Sequence, residues 1–493
     1  MRIRLLIVLV SGASMPLAFA PFYWWPVAVV APALLFYLYL RSPSIGHSFW
    51  LGWWFGLGYF GFGVYWLYHS LHVYGHAPAL LAGALTLLMI VTLALFIGAG
   101  LALHHRLCKR YPERPLLLWL LPPVWFCLEW FKGWVLTGFP WLSLGYAHME
   151  SPLAGFAPLI GVYGIGMISV AMSLLLVQII DKRSAIPLVR LVLPLLLGWM
   201  LMSVEWTRTS GEALDITIVQ GNISQDRKWR RDERSAIIET YWGASQAHWD
   251  SDLVVWPEVA IPGRSDELEM LLLKPMEKVV RERQSNLLTG ILVTDPLRGV
   301  YHNSMIMLGE NSGQYHKRHL VPFGEFYPFR ELLSFMRHYI RIPMSDMQPG
   351  PDQQELMSIG GVRLGVSICY EDVFSRDINR DLPDAHILVN TSNDAWFGDS
   401  LAPHQHLQIA QMRAVETGRP MVRSTNTGPS AFIDHKGAVT SLTPTFVEQT
   451  LTARVQGRSG STPFLYFAAA QPWLAWIILL GLLWLARRRG RAL

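Results

Sequence analysis

Long apolar runs constrain this chain more than any other feature. Seven crowd into the first 206 residues, at Leu5–Ala20, Val27–Leu40, 49–68, 79–103, 115–131, 157–180 and 188–206, and an eighth covers 464–486. Each is near the ~20 residues that carry a helix across a bilayer, the run at 115–131 being marginal. A chain of 493 residues that is 52% hydrophobic and only 16% charged is too apolar for an ordinary soluble protein. An eight-helix transmembrane region with one aqueous domain is expected. The first run ends Ala18-Phe-Ala20, as a secretory signal peptide would. Against that, Pro21-Phe-Tyr-Trp-Trp-Pro26 leads straight into the second run, and a two-helix hairpin with aromatics at its turn is the better reading.

Charge gives the orientation. The net charge of +5 sits largely in short basic clusters beside the apolar runs, so topology explains it better than a nucleic-acid partner does. With an even number of spans both ends share a side, and they carry Arg2 and Arg4 at one end and Arg487, Arg488, Arg489 and Arg491 at the other. The same side collects Arg41, then Arg106, Lys109, Arg110 and Arg114, then Lys182, Arg183 and Arg190, whereas the short outer loops carry almost nothing basic except Lys132. This predicts a transmembrane domain over 1–213, an outer domain over 214–462, and a last helix with a basic cytoplasmic tail over 463–493. In a bacterium the outer domain would lie in the periplasm, with the chain in the inner membrane.

Two patterns within the membrane part are weak. Gly56-Leu-Gly-Tyr-Phe-Gly61 fits a dinucleotide fingerprint but lies inside an apolar span, where small residues serve close helix packing. His69, His72 and His76 could share a helix face, yet no carboxylate or cysteine joins them, so no metal site is expected. Glu129 and Lys132, at i and i+3 among aromatics, can pair at the outer interface; a contact with a lipid head group and a simple snorkelling anchor are the two readings.

The outer domain alternates short strand-like runs (Asp215–Gln220, Asp252–Trp256, Asn286–Val293, Ser304–Leu308, Tyr315–Val321, Val362–Cys369, His386–Asn390 and Pro420–Ser424) with helical stretches at Arg234–His248, Leu268–Gln284 and His404–Thr417. That argues for a mixed α/β sandwich. Of the three cysteines, Cys108 and Cys127 belong to the membrane part and only Cys369 to this domain, so no disulfide can form within it. Val362, Leu364, Val366 and Ile368 alternate toward one face, delivering Cys369 at a strand end, with Glu371 and Asp372 opening a helical first turn suited to a thiolate. A packed core cysteine is the plain alternative. A lone thiol in an oxidising compartment argues for chemistry instead.

Two more strand ends carry charge. Glu258 follows Pro257 after Leu253–Trp256, and Lys317 lies within the strand Tyr315–Val321. With Cys369 they supply a base, a cation and a nucleophile: Glu258 takes the thiol proton, Cys369 attacks a carbonyl, and Lys317 stabilises the oxyanion. An ordinary surface ion pair between Glu258 and Lys317 is the competing reading.

Trp256-Pro-Glu258, His316-Lys-Arg-His-Leu-Val-Pro-Phe-Gly-Glu-Phe326 and Ile368-Cys-Tyr-Glu371 resemble the three motif blocks of the nitrilase superfamily, with its Glu-Lys-Cys triad on an α-β-β-α fold. Together with Gln220–Trp229, Tyr301-His-Asn303, Thr137-Gly-Phe-Pro-Trp141 and the membrane frame, the whole chain resembles the bacterial apolipoprotein N-acyltransferase family. The resemblance implies a periplasmic nitrilase-like sandwich inserted before the last helix, and a ping-pong reaction without cofactor. The cysteine takes an acyl chain from the sn-1 position of a phospholipid such as phosphatidylethanolamine. The thioester passes it to the α-amine of the diacylglyceryl-cysteine of an apolipoprotein, in a monomeric enzyme. Carried over residue by residue, Glu258, Lys317 and Cys369 are the triad, Glu325, Tyr370 and Glu371 support it, and Trp229 and Asn303 lie near the acyl or substrate pocket. Lys132 stands where the family usually has arginine, and an ammonium cannot make the bidentate phosphate contact of a guanidinium.

Residues 326–344 mix apolar side chains with Arg330, Arg337 and Arg341, as an interfacial lid would, and Trp396-Phe397 forms a second apolar tip. Packing on the domain core is the other reading of both. A membrane-tethered amidase is the alternative function; a transporter is disfavoured by the scarcity of charge within the spans.

Overall fold

The computed structural model describes residues 2–110, 115–182, 185–295, 298–326 and 347–487. They form two compact units, one of 1–68, 80–204 and 463–493, the other of 69–79 and 205–462. The expected lid at 326–344, with its three arginines, lies almost wholly outside the described residues.

In the first unit every apolar run is helical: Arg2–Ser14, Val27–Tyr39, Ile45–Gly63, Ala79–Arg110, Leu121–Lys132, Ala157–Lys182, Ala185–Leu201 and Pro463–Arg487. Three described helical stretches, Ala79–Lys109, Pro152–Asp181 and Pro463–Gly481, are long and apolar enough to cross a membrane. The first run is part of the packed unit: Val8, Met15, Ala18 and Ala20 are fully buried, and the Ser11 hydroxyl donates to the Ala31 carbonyl at 3.0 Å, closing the hairpin. The glycine pattern is indeed close packing, since a Cβ on Gly56 would meet Ala94 Cα at 2.7 Å and one on Gly58 the Leu9 carbonyl at 2.2 Å.

Lys132 is buried among the helices. Its side chain is 5% exposed, Nζ donates to the Trp141 carbonyl at 3.0 Å, and it lies 5.3 Å from the centre of the Phe60 ring. Glu129 Oε1 accepts from the Leu144 amide at 2.6 Å. Both charges turn inward because the 141–144 backbone leaves polar groups that the apolar packing cannot satisfy.

The second unit contains two six-stranded sheets built from β1 (Arg208–Gln220), β2 (Leu253–Val255), β3 (Asn286–Asp295), β4 (Val300–Gly309), β5 (Gly313–His316), β6 (Met357–Ile359), β7 (Val362–Ile368), β8 (Ile387–Ser392), β9 (Met421–Thr425), β10 (Ala431–Ile433), β11 (Val439–Leu442) and β12 (Gln449–Ser459). Their orders are β12-β1-β2-β3-β4-β5 and β11-β10-β9-β8-β7-β6. At the centre of each, β1-β2-β3 and β7-β8-β9 run parallel. β1 begins before the boundary expected at Leu214. The segment His69–Ala79, expected with the membrane part, belongs to this unit: the Ser70 hydroxyl donates to the Trp396 carbonyl at 2.8 Å and the Tyr74 ring meets the Trp396 ring edge-on.

Hydrophobic alternation explains the layers. Ile216, Ile218, Val255 and Met305 from one sheet pack against Val362, Leu364, Val366, Ile368 and Val389 from the other. Outside the first sheet lie Ile237 and Tyr241 of helix Arg234–Ser245 and Met276 and Val280 of helix Lys274–Glu282. Outside the second lie Leu407, Ala410 and Ala414 of helix Ala402–Thr417. The expected α-β-β-α sandwich is therefore the observed one. The all-apolar face of β7 anchors the cysteine: each such side chain contributes roughly 1.5–3 kcal/mol on burial.

Candidate active site

Cys369 follows the last residue of β7 and turns sharply, with φ at 53° in the left-handed region. A side chain there costs on the order of 1–3 kcal/mol and persists only where the surroundings over-determine it. Two contacts do so: the Ile368 amide donates to Glu371 Oε2 at 2.7 Å, and Asn390 Nδ2 donates to the Cys369 carbonyl at 3.2 Å. The chain continues as a five-residue 3₁₀ turn, Cys369–Val373, rather than the expected helical first turn, so no helix dipole stabilises a thiolate. Burial, then the Glu258 carboxylate, push the Cys369 thiol well up, while Lys317 pulls it down. The group rests as a thiol, and a thiol needs a base to become a nucleophile.

Glu258 sits beyond β2, where Pro257 ends the strand, and the backbone is again left-handed at Val259, φ 46°. Lys317 was expected inside a strand; β5 ends one residue earlier, and the Lys317 amide still donates to the Asn303 carbonyl at 2.8 Å. Its Nζ lies 3.2 Å from Glu258 Oε1 and 2.9 Å from Glu325 Oε1. Lys317 is 1% and Glu258 8% exposed, which rules out the surface ion pair. Burial alone would lower Lys317, but the Glu258 and Glu325 carboxylates hold it well above its ordinary value as an ammonium.

Asn303 was expected at the substrate pocket. It is buried between the carboxylates, its Nδ2 donating to Glu258 Oε1 at 2.7 Å and to Glu325 Oε1 at 2.8 Å. The second oxygens are also engaged: Glu258 Oε2 accepts from the Asn393 amide at 3.1 Å, and Glu325 Oε2 from the Val321 amide at 2.8 Å. Trp229 is half-buried against Val259, Leu292, Leu320 and Met347, an apolar wall beside Glu258.

Glu371 and Tyr370 meet different surroundings. Glu371 is 1% exposed and turns inward, Oε1 accepting from the Arg318 amide at 2.6 Å and the His319 amide at 3.0 Å, and both oxygens from the Tyr315 hydroxyl. Together with the Ile368 amide it ties the cysteine turn to the segment that carries Lys317. Burial pushes its carboxyl up to about 7, although the Ile368 amide, Lys317 and the His319 amide pull it down. Tyr370 is half-buried, its ring edge-on to Phe374.

Behind the cysteine turn lies a cluster the motifs did not reveal. His406 bridges Asp372 Oδ1 at 2.9 Å and Asp394 Oδ1 at 3.0 Å. Arg423 bridges the other oxygens of the same two carboxylates, at 3.3 Å and 2.8 Å, and also donates to Asn390 Oδ1 at 2.7 Å. Asp394 and Asn393 follow the end of β8 as Cys369 follows β7, and that strand-end position was the available signal. Lys228 was also missed, within the stretch that pointed to Trp229: it is buried and donates to the Glu258 carbonyl at 2.9 Å.

A sandwich with a thiol, a lysine and two carboxylates at its strand ends defines the class, and residues 215–464 match the family described as carbon-nitrogen hydrolase. Residues 11–175 match the family described as apolipoprotein N-acyltransferase N-terminal domain. The chain is 38% identical over 467 residues to an apolipoprotein N-acyltransferase of Methylococcus capsulatus, covering 93% of this chain and 92% of the relative. To that of Azotobacter vinelandii it is 40% identical over 507 residues, covering 99% and 96%. The one from Coxiella burnetii is 38% identical over 464 residues, covering 93% and 95%. The chain belongs to the apolipoprotein N-acyltransferase family.

Proposed function

We propose that this protein transfers a fatty acyl chain from a phospholipid, through a thioester on Cys369, to the α-amine of an apolipoprotein's diacylglyceryl-cysteine. Glu258 takes the thiol proton as the sulfur attacks the sn-1 ester carbonyl, of phosphatidylethanolamine for example. Lys317 faces the developing oxyanion, and the lysophospholipid leaves with the proton from Glu258. In the second half the amine attacks the thioester, the amide leaves, and the thiol is restored. Glu325 and Asn303 hold Glu258 and Lys317 in register, Glu371 and Tyr370 fix the cysteine turn, and the wall at Trp229 seats the acyl chain. The enzyme works as a monomer, with eight helices in the bacterial inner membrane and the sandwich in the periplasm. Lys132, buried as it is, serves the helical packing rather than a lipid phosphate.

The observation that carries this reading is the buried carboxylate–lysine–carboxylate cluster beside an apolar wall, whose Glu258 and Lys317 charges act on the Cys369 thiol, in a chain with membrane-length helices. Incubation with phospholipid labelled in the sn-1 chain is expected to leave label on Cys369. Hydroxylamine and a diacylglyceryl peptide should each discharge it, and Cys369→Ala should carry none. Absence of acyl label, with ammonia released from small amides, would point to an amidase instead.

A further inference from the structure

The two halves of this transfer differ by one proton. Acylation moves the thiol proton through Glu258 to the departing hydroxyl, and Glu258 ends as it began. In the second half the acceptor arrives mostly as an ammonium, since an α-amine has a pKa of about 7.7–8.0. It must lose one proton to gain a lone pair and another as the amide forms. The latter returns through Glu258 to the sulfur of Cys369. The former has no place in the triad, because Lys317 is already held as an ammonium by Glu258 and Glu325.

Lys228 is built to take it. It ends the short helix Gln225–Lys228, is 4% exposed, and donates from Nζ to the Glu258 carbonyl at 2.9 Å. Among the described residues that is the only hydrogen bond of this nitrogen, which leaves two of the three positions of an ammonium unmatched. The ionisable groups that face it are Glu258 beyond β2 and Cys369 beyond β7, with Lys317 and Glu325 reached through Glu258. On its own segment Asp226 is exposed and Arg227 turns outward to Glu233 at 2.7 Å. The next residue, Trp229, borders the apolar wall. Burial lowers Lys228 to about 8 against the pull of Glu258 and Cys369, close to the acceptor's own value.

We propose that Lys228, as a neutral amine, accepts the first proton of the acceptor ammonium inside the acyl-enzyme. The freed lone pair then forms the C–N bond, the C–S bond breaks, and the second proton passes by way of Glu258 to Cys369. Lys228 gives its proton to solvent before the next cycle, so the sum is thioester plus ammonium to amide, thiol and one proton. The inference rests on the Glu258, Lys317 and Cys369 reading.

The test separates the half-reactions in single turnover, charging with labelled phospholipid and discharging with a diacylglyceryl peptide, for Lys228→Met and Lys228→Arg in the full chain. At pH 7 discharge is expected to fall at least tenfold more than charging does, in both variants, and to recover toward wild type above pH 9, where the acceptor is already a free amine. Arginine keeps a cation near the Glu258 carbonyl but cannot act as the acceptor, so Lys228→Arg decides alone if Lys228→Met forms no thioester. Equal losses in both halves with rescue by arginine, or a discharge defect that does not change with pH, would overturn the proposal. Acyl label on Cys369→Ala would instead undo the triad reading beneath it.

Discussion

Cys369 stands between two buried ionic clusters of opposite temper. In front, Glu258 and Glu325 share Lys317 and the amide of Asn303, so two carboxylates lean on one ammonium. Behind, Asp372 and Asp394 are matched by Arg423 and His406, each cation bridging both carboxylates. Burial works against Asp394, yet His406 and Arg423 hold it well below the usual carboxylate range, and the cluster is neutral in sum when His406 is protonated. The rear cluster is balanced in charge and holds shape. The front one is short of positive charge, which leaves a carboxylate ready to receive the thiol proton. The cysteine turn sits against both: an excess of carboxylates on one side and matched charges on the other.

The comparison breaks most visibly at Lys317. Lys317→Met leaves the two buried carboxylates without the ammonium between them, and removing one partner of a buried ion pair costs about 3–5 kcal/mol. Thioester formation should fall at least 1,000-fold, on the order of 4 kcal/mol in the barrier, and the stability of the purified protein should fall with it. Near wild-type acyl labelling of this variant would show that the oxyanion is met elsewhere. Glu258→Gln comes next. It keeps the shape but removes the base, so labelling should slow by roughly 10²–10⁴-fold. Some stability should go as well, since the new amide nitrogen meets a donor where both oxygens of Glu258 accept, but less than in Lys317→Met. A loss of stability matching that of Lys317→Met would make Glu258 a structural group.

How much of this was legible in the sequence depends on the same contrast. Glu258, Lys317 and Cys369 lie on three short motifs: Pro257 marks the strand end before Glu258 and the alternation that starts at Val362 ends at Cys369, while Lys317 reads as a charge within a strand. The alternation of Val362 to Ile368 likewise foretold the inner face of β7. The rear cluster draws one residue each from the turn after β7, the turn after β8, a helix and β9, and no local pattern joins them; only the sheet order β9-β8-β7 does. The surroundings of Lys132 are illegible for a related reason, because i, i+3 spacing shows which charges can meet but not that the 141–144 backbone takes both. The edge strands β6, β11 and β12, and the three-residue β10 between β11 and β9, escaped because short or half-exposed runs lack the apolar alternation that marked the others.

The rear cluster is expected to fail as structure first. Arg423→Met strips the guanidinium from two carboxylates and an amide, all fully buried, and should cost about 3–5 kcal/mol of stability. In whatever fraction remains folded, the half-reactions should keep their wild-type pH profiles, since Arg423 touches neither Glu258 nor the thiol. A shifted profile in Arg423→Met would mean that the two clusters titrate together, and the contrast drawn between them would fall.

The smallest effect is the most specific. Burial and Arg423 act to lower His406, but Asp372 and Asp394 lift it to about 9 from its ordinary value near 6.5. A group raised on folding adds stability that is complete below the unfolded value and is lost as pH climbs through the folded one. The window is therefore pH 6.5 to 9, and a shift of this size corresponds to roughly 3 kcal/mol at most. Melting temperature should decline across that window in the wild type. His406→Gln should melt lower at pH 6, approach the wild type at pH 9, and show a flatter profile between them. If the wild-type decline persists undiminished in His406→Gln, the titrating group is elsewhere. Glu371, pushed up to about 7, cannot mimic the result, because an acid raised on folding gives stability that is present at low pH and lost through pH 7, and His406→Gln leaves that contribution in place.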